Sequence, residues 1–284
     1  MTSPTPAPTP TPTPIPVHTR ASAPAGVFRG AARLVDYWAL VYLRSWKGTA
    51  VSSFVNPLFY VLAMGVLLGD YIDGDPAQLD GASTYLAFIA PGLLAAQAMQ
   101  VVFGETTYPV MAMTKWQRTY FGMIASPLSV REVILGHLGF VLFRVGLTCL
   151  VFTLVLAPFG VFATVWGAVL AFLVQFLVGL AFATPIYAFS AGLKDESAFA
   201  IVFRLGMIPL FLFSGAFFPI ENLNGWMEVL ARVTPLWHGV DLTRMLTLDT
   251  VDLSAALVHV VYLAVLAVLG WFWAVRRLTR RMSL

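Results

Sequence analysis

Glu105 and Arg144 stand inside long apolar stretches of this 284-residue chain, and their chemistry depends on what surrounds them. A charge at the centre of a membrane-spanning helix costs about 2.5–3.5 kcal/mol on the insertion scale, so each calls for a partner or a wet cavity. Three readings stand: a structural ion pair, a polar lining for a path, or pairing elsewhere. With the second apolar stretch centred near residue 97 and the third near 145, a rise of 1.5 Å per residue sets Glu105 about 12 Å from Arg144 along the membrane normal. Only tilt and side-chain reach can close that gap.

Other chemistry is hard to assemble. His238 and His259 have no metal-ligand spacing such as HExxH, so they are expected at an interface or in packing. No GxSxG elbow occurs, and the carboxylate pair Asp195-Glu196 is adjacent in a turn and points apart, which does not suit general acid and base work. The chain lacks GxxxxGK[ST], so it has no Walker loop to cradle phosphates and does not hydrolyse ATP by that mechanism. The single cysteine, Cys149, excludes an intrachain disulfide and is expected as a small core residue. No catalytic, cofactor-binding or metal-binding residues are assigned.

The elements that must position these residues follow from composition. The chain is 59% hydrophobic and 11% charged, whereas an ordinary soluble domain is about 25% charged. It is therefore expected to be an all-α, polytopic membrane protein in the inner or plasma membrane, with the bilayer as a partner and no nucleic acid. A spanning helix needs roughly 20 mostly apolar residues, and six stretches qualify: about 51–69, 84–110, 133–157, 161–190, 198–218 and 254–275. Pro91-Gly92 should kink the second, and Pro185 should tilt or break the fourth. Placing both termini in the cytoplasm puts fourteen basic residues inside and two, Arg232 and Arg244, outside, as the preference of Lys and Arg for cytoplasmic flanks requires. No internal repeat or inverted pair of halves is visible, which weighs against an ion-coupled carrier.

Residues 1–25, "PTPAPTPTPTPIP" among them, carry too much proline for helix or sheet and are expected as a disordered tail. Residues 26–284 then form one transmembrane unit. Within it, 29–47 mixes Leu34, Trp38 and Val41 with Arg33, Asp36 and Arg44, the pattern of an amphipathic helix lying in the interface. The second-to-third connection sets Lys115 and Arg118 among Trp116, Tyr120 and Phe121, breaks at Ser126-Pro127, and offers Ser129 as a helix cap. Such a segment can grip a partner or anchor to anionic lipid. In "FSGAFFPIENL", Phe217, Phe218 and Pro219 fall where the fifth stretch meets the outer interface. Leu223, Trp226, Met227 and Leu230 then follow at helical spacing, Pro235 should break that helix, and Gly239 should permit a turn. Phe217, Phe218, Pro219 and Trp226 are either an outer gate or an aromatic belt.

Four fragments in order, "NPLFYVLAMG", "YLAFIAPGLL", "RTYFGMIASPLSVREVILG" and "FLFSGAFFPIENLNGWMEVLARVTPLWHGVDLTR", resemble the ABC-2 type membrane subunits of ATP-driven exporters. Together they cover most of residues 50–245. Within that family the chain looks most similar to the nodulation lipo-oligosaccharide and daunorubicin-type drug exporter permeases. The resemblance implies six spans, outer re-entrant helices after the fifth, a pore built with a second permease copy or a similar subunit, and a separate ABC ATPase docked on the cytoplasmic loops. ATP and Mg would be held by that partner, and the cargo would be amphipathic, lipid-linked or drug-like. His137 departs from the pattern, since relatives often carry Glu there, so no role is carried over to it. The rivals are an ion-coupled carrier and a membrane-embedded lipid-modifying enzyme.

Overall fold

The computed structural model describes residues 30–43, 55, 58–63 and 79–283. The Pro/Thr-rich tail, most of the expected first span at 51–69, and the charged residues Arg44, Lys47, Asp70, Asp73 and Asp75 lie outside the described residues. Among those described, every regular element is helical.

Helix α1 covers 30–43. It buries Ala31, Leu34 and Tyr42 while Leu40, Val41 and Leu43 remain exposed, an apolar outer surface that suits lipid. α2 (Tyr85–Thr106) is capped by Thr84, whose hydroxyl accepts from Ala87 N. It passes Pro91 without interruption. Pro91 lies in the second turn, where its missing N–H orphans only one carbonyl. The break comes instead at Thr107 (φ −91°, ψ −94°), two residues before Pro109, after which α3 (Tyr108–Met111) and a wide-wound turn (Ala112–Trp116) carry the helical path onward.

A short α4 (Thr119–Ala125) leads to α5 (Val130–Leu156), which opens on a capping box. Ser129 N donates to Glu132 Oε2 at 2.6 Å, and Glu132 N to Ser129 Oγ at 3.4 Å. α6 (Val165–Gly192) runs through Pro185 as one helix, and next to that proline Thr184 Oγ1 donates to the Ala267 carbonyl at 2.9 Å. α7 (Ser197–Ile201), a wide-wound stretch (Val202–Met207) and α8 (Ile208–Phe213) form a shorter apolar helix. The wide turn ends just before Pro209, which has no N–H for the ladder. α9 (Gly225–Val233), α10 (Pro235–Thr247) and α11 (Leu253–Met282) complete the chain.

The helix breaks before Pro235 as expected, α9 closing at Val233, but the proline is no loop residue: it opens α10 at its first position, with Thr234 as the cap. A proline at this place loses nothing, because its N–H would be unpaired anyway. Gly239 is likewise no turn: it sits inside α10, where a Cβ would lie 2.7 Å from Val178 of α6.

Four helical runs are long and apolar enough to cross a membrane: Tyr85–Trp116, Val130–Phe159, Val165–Gly192 and Leu253–Met282. Ser197–Phe213 is apolar but shorter. This is a multi-pass membrane protein. α2 is the buried centre, flanked by α5, α6 and α10, while α6 lies along α11. α11 turns Leu257, Val261, Val265, Leu269 and Phe272 outward. Lipid tails are as apolar as those side chains, so burying them gains little and helices meet through small residues instead. At Gly136 a Cβ would come within 2.5 Å of Leu34 Cβ, and this close approach seats α1 against α5.

Candidate functional site

Near the α4 end of the bundle, Arg144 Nε donates to Glu105 Oε1 at 3.0 Å. The two side chains are 10% and 24% exposed, so the pair is largely shielded from solvent. The gap expected from register narrows to about 7 Å, within side-chain reach, because the helical run from Tyr85 continues to Trp116. Its centre therefore lies farther along the chain than residue 97. The guanidinium carbon lies 4.4 Å from the Tyr42 ring centroid, a cation–π contact that gains strength out of water. The ion pair thus joins α1, α2 and α5.

His137 sits beside it. The Glu105 carbonyl has no helical donor, because the residue four positions on is Pro109. His137 Nε2 supplies one at 3.0 Å. A carbonyl can only accept, so Nε2 carries the proton and Nδ1 accepts from the Tyr120 hydroxyl at 2.6 Å. Trp38 of α1 and Tyr187 of α6 pack on the imidazole at centroid distances of 5.8 and 5.4 Å. His137 was not among the expected site residues, yet it links five helices. Pro109 was the available signal, since a proline inside an apolar run leaves a carbonyl that something must satisfy.

The 113–131 segment divides in two. Lys115, Trp116, Arg118, Ser126 and Pro127 are exposed, whereas Tyr120 is fully buried against His137, and Phe121 and Ser129 are half-buried. Arg118 takes a left-handed φ of 53° as it enters α4 and lies 5.3 Å from the Phe121 ring. Lys115 approaches Glu196 at 3.9 Å. One basic, aromatic surface is thereby tied through Tyr120 and His137 to the backbone carbonyl of Glu105.

A second polar cluster occupies the opposite, α10 end. Arg244, counted in the sequence as an external loop residue, is only 5% exposed. It bonds Asp80 Oδ2 at 3.0 Å and the Gly215 carbonyl at 2.6 Å, reaches the Phe88 carbonyl at 3.4 Å, and lies 4.1 Å from the Phe88 ring. Burial lowers its pKa, opposed by Asp80. Burial also raises that of Asp80, against the pull of Arg244. Next to this pair, His238 Nδ1 and His259 Nδ1 are 2.7 Å apart, and His259 Nε2 is 2.9 Å from Asp241 Oδ2 but off the axis of a hydrogen bond. Tyr262 stacks on His238 at 3.9 Å and donates to the Val233 carbonyl.

Phe217 and Phe218 are half-buried in the turn after α8. Tyr85 Oη donates to the Phe217 carbonyl at 3.1 Å, and the Phe217 ring meets Phe211 edge to face. The turn packs hard on α2: a Cβ at Gly92 would lie 2.5 Å from Ala216 Cα. Pro219 precedes a short turn of helix at Ile220–Asn222. Trp226 is 69% exposed on α9, on the same outward side as Val229, Leu230 and Val233.

Burial, then the neighbouring His259, hold His238 down to about 4, while Asp241 and the Arg232 carbonyl oppose the shift. An unfolded histidine titrates near 6.5, so between those values the unfolded chain binds the extra proton and stability falls with acid. Thermal unfolding in lipid nanodiscs should be flat in its His238 contribution above pH 6.5 and decline as pH drops toward 4. His238→Phe, which keeps the stack on Tyr262, should remove that part of the slope. An identical pH profile in the variant would assign the acid sensitivity elsewhere.

A bundle of apolar helices with two shielded ion pairs, an exposed basic connection at one end and two short helices at the other defines a polytopic membrane protein. The family model for the ABC-2 type transporter matches residues 33–248, and the chain belongs to that family. It is 30% identical over 253 residues to nodulation protein J of Rhizobium meliloti (strain 1021), covering 87% of this chain and 93% of that protein. Nodulation protein J of Rhizobium leguminosarum bv. trifolii is 30% identical over 260 residues, 89% and 95% of the two chains. That of Neorhizobium galegae is 27% identical over 256 residues, 87% and 94%.

Proposed function

We propose that this chain is the membrane permease of an ATP-driven exporter that moves an amphipathic, lipid-linked or drug-like substrate outward. The observation that carries the reading is the exposed surface of Lys115, Trp116, Arg118, Ser126 and Pro127, coupled through buried Tyr120 and His137 to α2. A partner ATPase, holding ATP and Mg, grips that surface and 29–47 as a helix-in-groove contact. Phe121 and Ser129 brace it from beneath. Nucleotide-driven closure then shifts two permease copies, or this chain and a similar one, between accepting and releasing states by stabilising one over the other.

In this reading six spans cross the membrane, with 51–69 and 198–218 added to the four long runs, and both termini are cytoplasmic. Residues 26–284 are the transmembrane unit and 1–25 its tail. α9 and α10 are the outer re-entrant helices. This is supported by the bond from Gln175 Nε2 to Thr243 Oγ1 at 3.1 Å, which seats α10 well down α6 and shields its backbone from lipid. Phe217, Phe218, Pro219 and Trp226 close the outer mouth.

The test is reconstitution in liposomes with a candidate ABC ATPase subunit from the same organism. ATP-dependent accumulation of a lipo-oligosaccharide or drug probe is expected only with both subunits. Lys115→Glu with Arg118→Glu should reduce ATPase co-purification by about tenfold, a change equal to 1.4 kcal/mol. Transport by the chain alone under an ion gradient would sink the proposal in favour of a carrier. Turnover of a lipid without any ATPase would favour an enzyme.

A further inference from the structure

We propose that the α10 end of this chain holds a zwitterionic phospholipid with an ammonium headgroup, seated outside the bundle along α11. The inference uses only the embedding of the chain in a bilayer and no transport role.

Two hollows adjoin there. One, about 340 Å³, is polar, with Asp80, Glu221, Asp241, Arg232, Trp237 and His259 on its walls. The other, about 620 Å³, is an apolar groove along α11 that includes Val261, Tyr262, Val265 and Leu269. Val258 lines both. Their α11 residues recur at three- and four-residue spacing, so they fall on one helix face. From Val258 to Leu269 that face runs about 16 Å at 1.5 Å per residue, about half of a 30 Å hydrocarbon core. A groove one leaflet deep with a polar hollow at its membrane-surface end has the outline of a single lipid. A packed transmembrane helix would need a seam through both leaflets.

The headgroup follows from the charges. Around the polar hollow, Arg244 is committed to Asp80 and two carbonyls. Arg232 is shared between Glu228 at 2.9 Å and Glu221 at 3.5 Å, and its own guanidinium is half exposed. That leaves Asp241, with a side chain 27% exposed, facing His259. His259 is 3% exposed and its Nε2 has no hydrogen bond. An ammonium at Asp241 adds a cation there, and the phosphate then faces Arg232, which lies over the Trp237 ring at 5.4 Å, at the rim. An anionic headgroup without the ammonium would set its negative charge against Asp241 with no cation to offset it.

The protein in nanodiscs of equal parts phosphatidylethanolamine and phosphatidylglycerol, moved to detergent and weighed by native mass spectrometry, should retain phosphatidylethanolamine over phosphatidylglycerol by about tenfold. That ratio is what one charge-assisted contact supplies. Asp241→Asn should bring the ratio toward one. Val265→Trp, which fills the exposed groove without touching the polar cluster, should abolish retention of both lipids while leaving the unfolding temperature unchanged. Equal retention of the two lipids by the unaltered chain, or undiminished retention in Val265→Trp, would overturn the proposal. So would a Val265→Cys variant that crosslinks to a second copy, since that copy would then occupy the groove.

Discussion

Replacing Arg244 by methionine is expected to destabilise the protein by about 3–5 kcal/mol, the usual cost of removing one partner from a buried ion pair. Methionine fills much the same volume, so lost packing contributes little. What remains is the Asp80 carboxylate without its cation and the Gly215 carbonyl without its donor, while the Phe88 carbonyl keeps its place in the α2 ladder. An arginine meets all of these at once because its donors form a planar fork; a lysine has the charge but not the geometry. Arg244→Lys should therefore recover only part of the loss. Asp80→Asn should cost less than Arg244→Met, because its side chain is 38% exposed and water can hydrate what is left. Thermal unfolding of the three variants in nanodiscs of one lipid composition checks the order. A loss under about 1 kcal/mol for Arg244→Met would be the value of a solvent-exposed pair, and would mean that water reaches the guanidinium.

That residue also marks what the sequence could not disclose. Asp80 and Arg244 are separated by 164 positions, and each looks like an ordinary loop charge, so no local pattern unites them. Short-range features were legible for physical reasons. The Ser129 cap and its Glu132 complement lie within one turn, and apolar runs over 130–156 and 253–282 are long enough to declare themselves as spans. Prolines were harder. Pro91 and Pro185 stand inside unbroken helices, whereas Pro109 displaces the ladder at Thr107 and creates the acceptor that His137 uses. Among the described residues only Pro109 has its orphaned carbonyl met by a donor from a neighbouring helix, His137 of α5. Proline position alone does not encode it. Tyr120 illustrates the same limit. Its spacing among Lys115, Trp116 and Arg118 groups it with a surface patch, but one turn of α4 directs it inward.

The Glu105–Arg144 pair carries the second large effect. Arg144→Met leaves a carboxylate inside the bundle, and Glu105→Gln leaves a guanidinium whose Nη1 is already buried without a hydrogen bond. Either change should cost about 3 kcal/mol, close to the price the bilayer sets on an uncompensated charge. The double variant should cost less than the two single losses together, by about 2 kcal/mol, because removing both charges strands neither. A swap, Glu105→Arg with Arg144→Glu, should restore only part of the stability. The cation would move from α5 to α2 and leave the Tyr42 ring, so the contact that draws α1 onto the pair would be absent. Tyr42→Leu in the swapped background should then have little further effect, while in the native chain it should cost about 1 kcal/mol. Unfolding temperatures and membrane-insertion yields of the set measure these terms. Single losses that add to within about 0.5 kcal/mol would mean that the two groups, 3.0 Å apart, act independently. Each would then be neutralised by water in a path through the bundle, the polar-lining role, and their variants would alter transport with little change in stability.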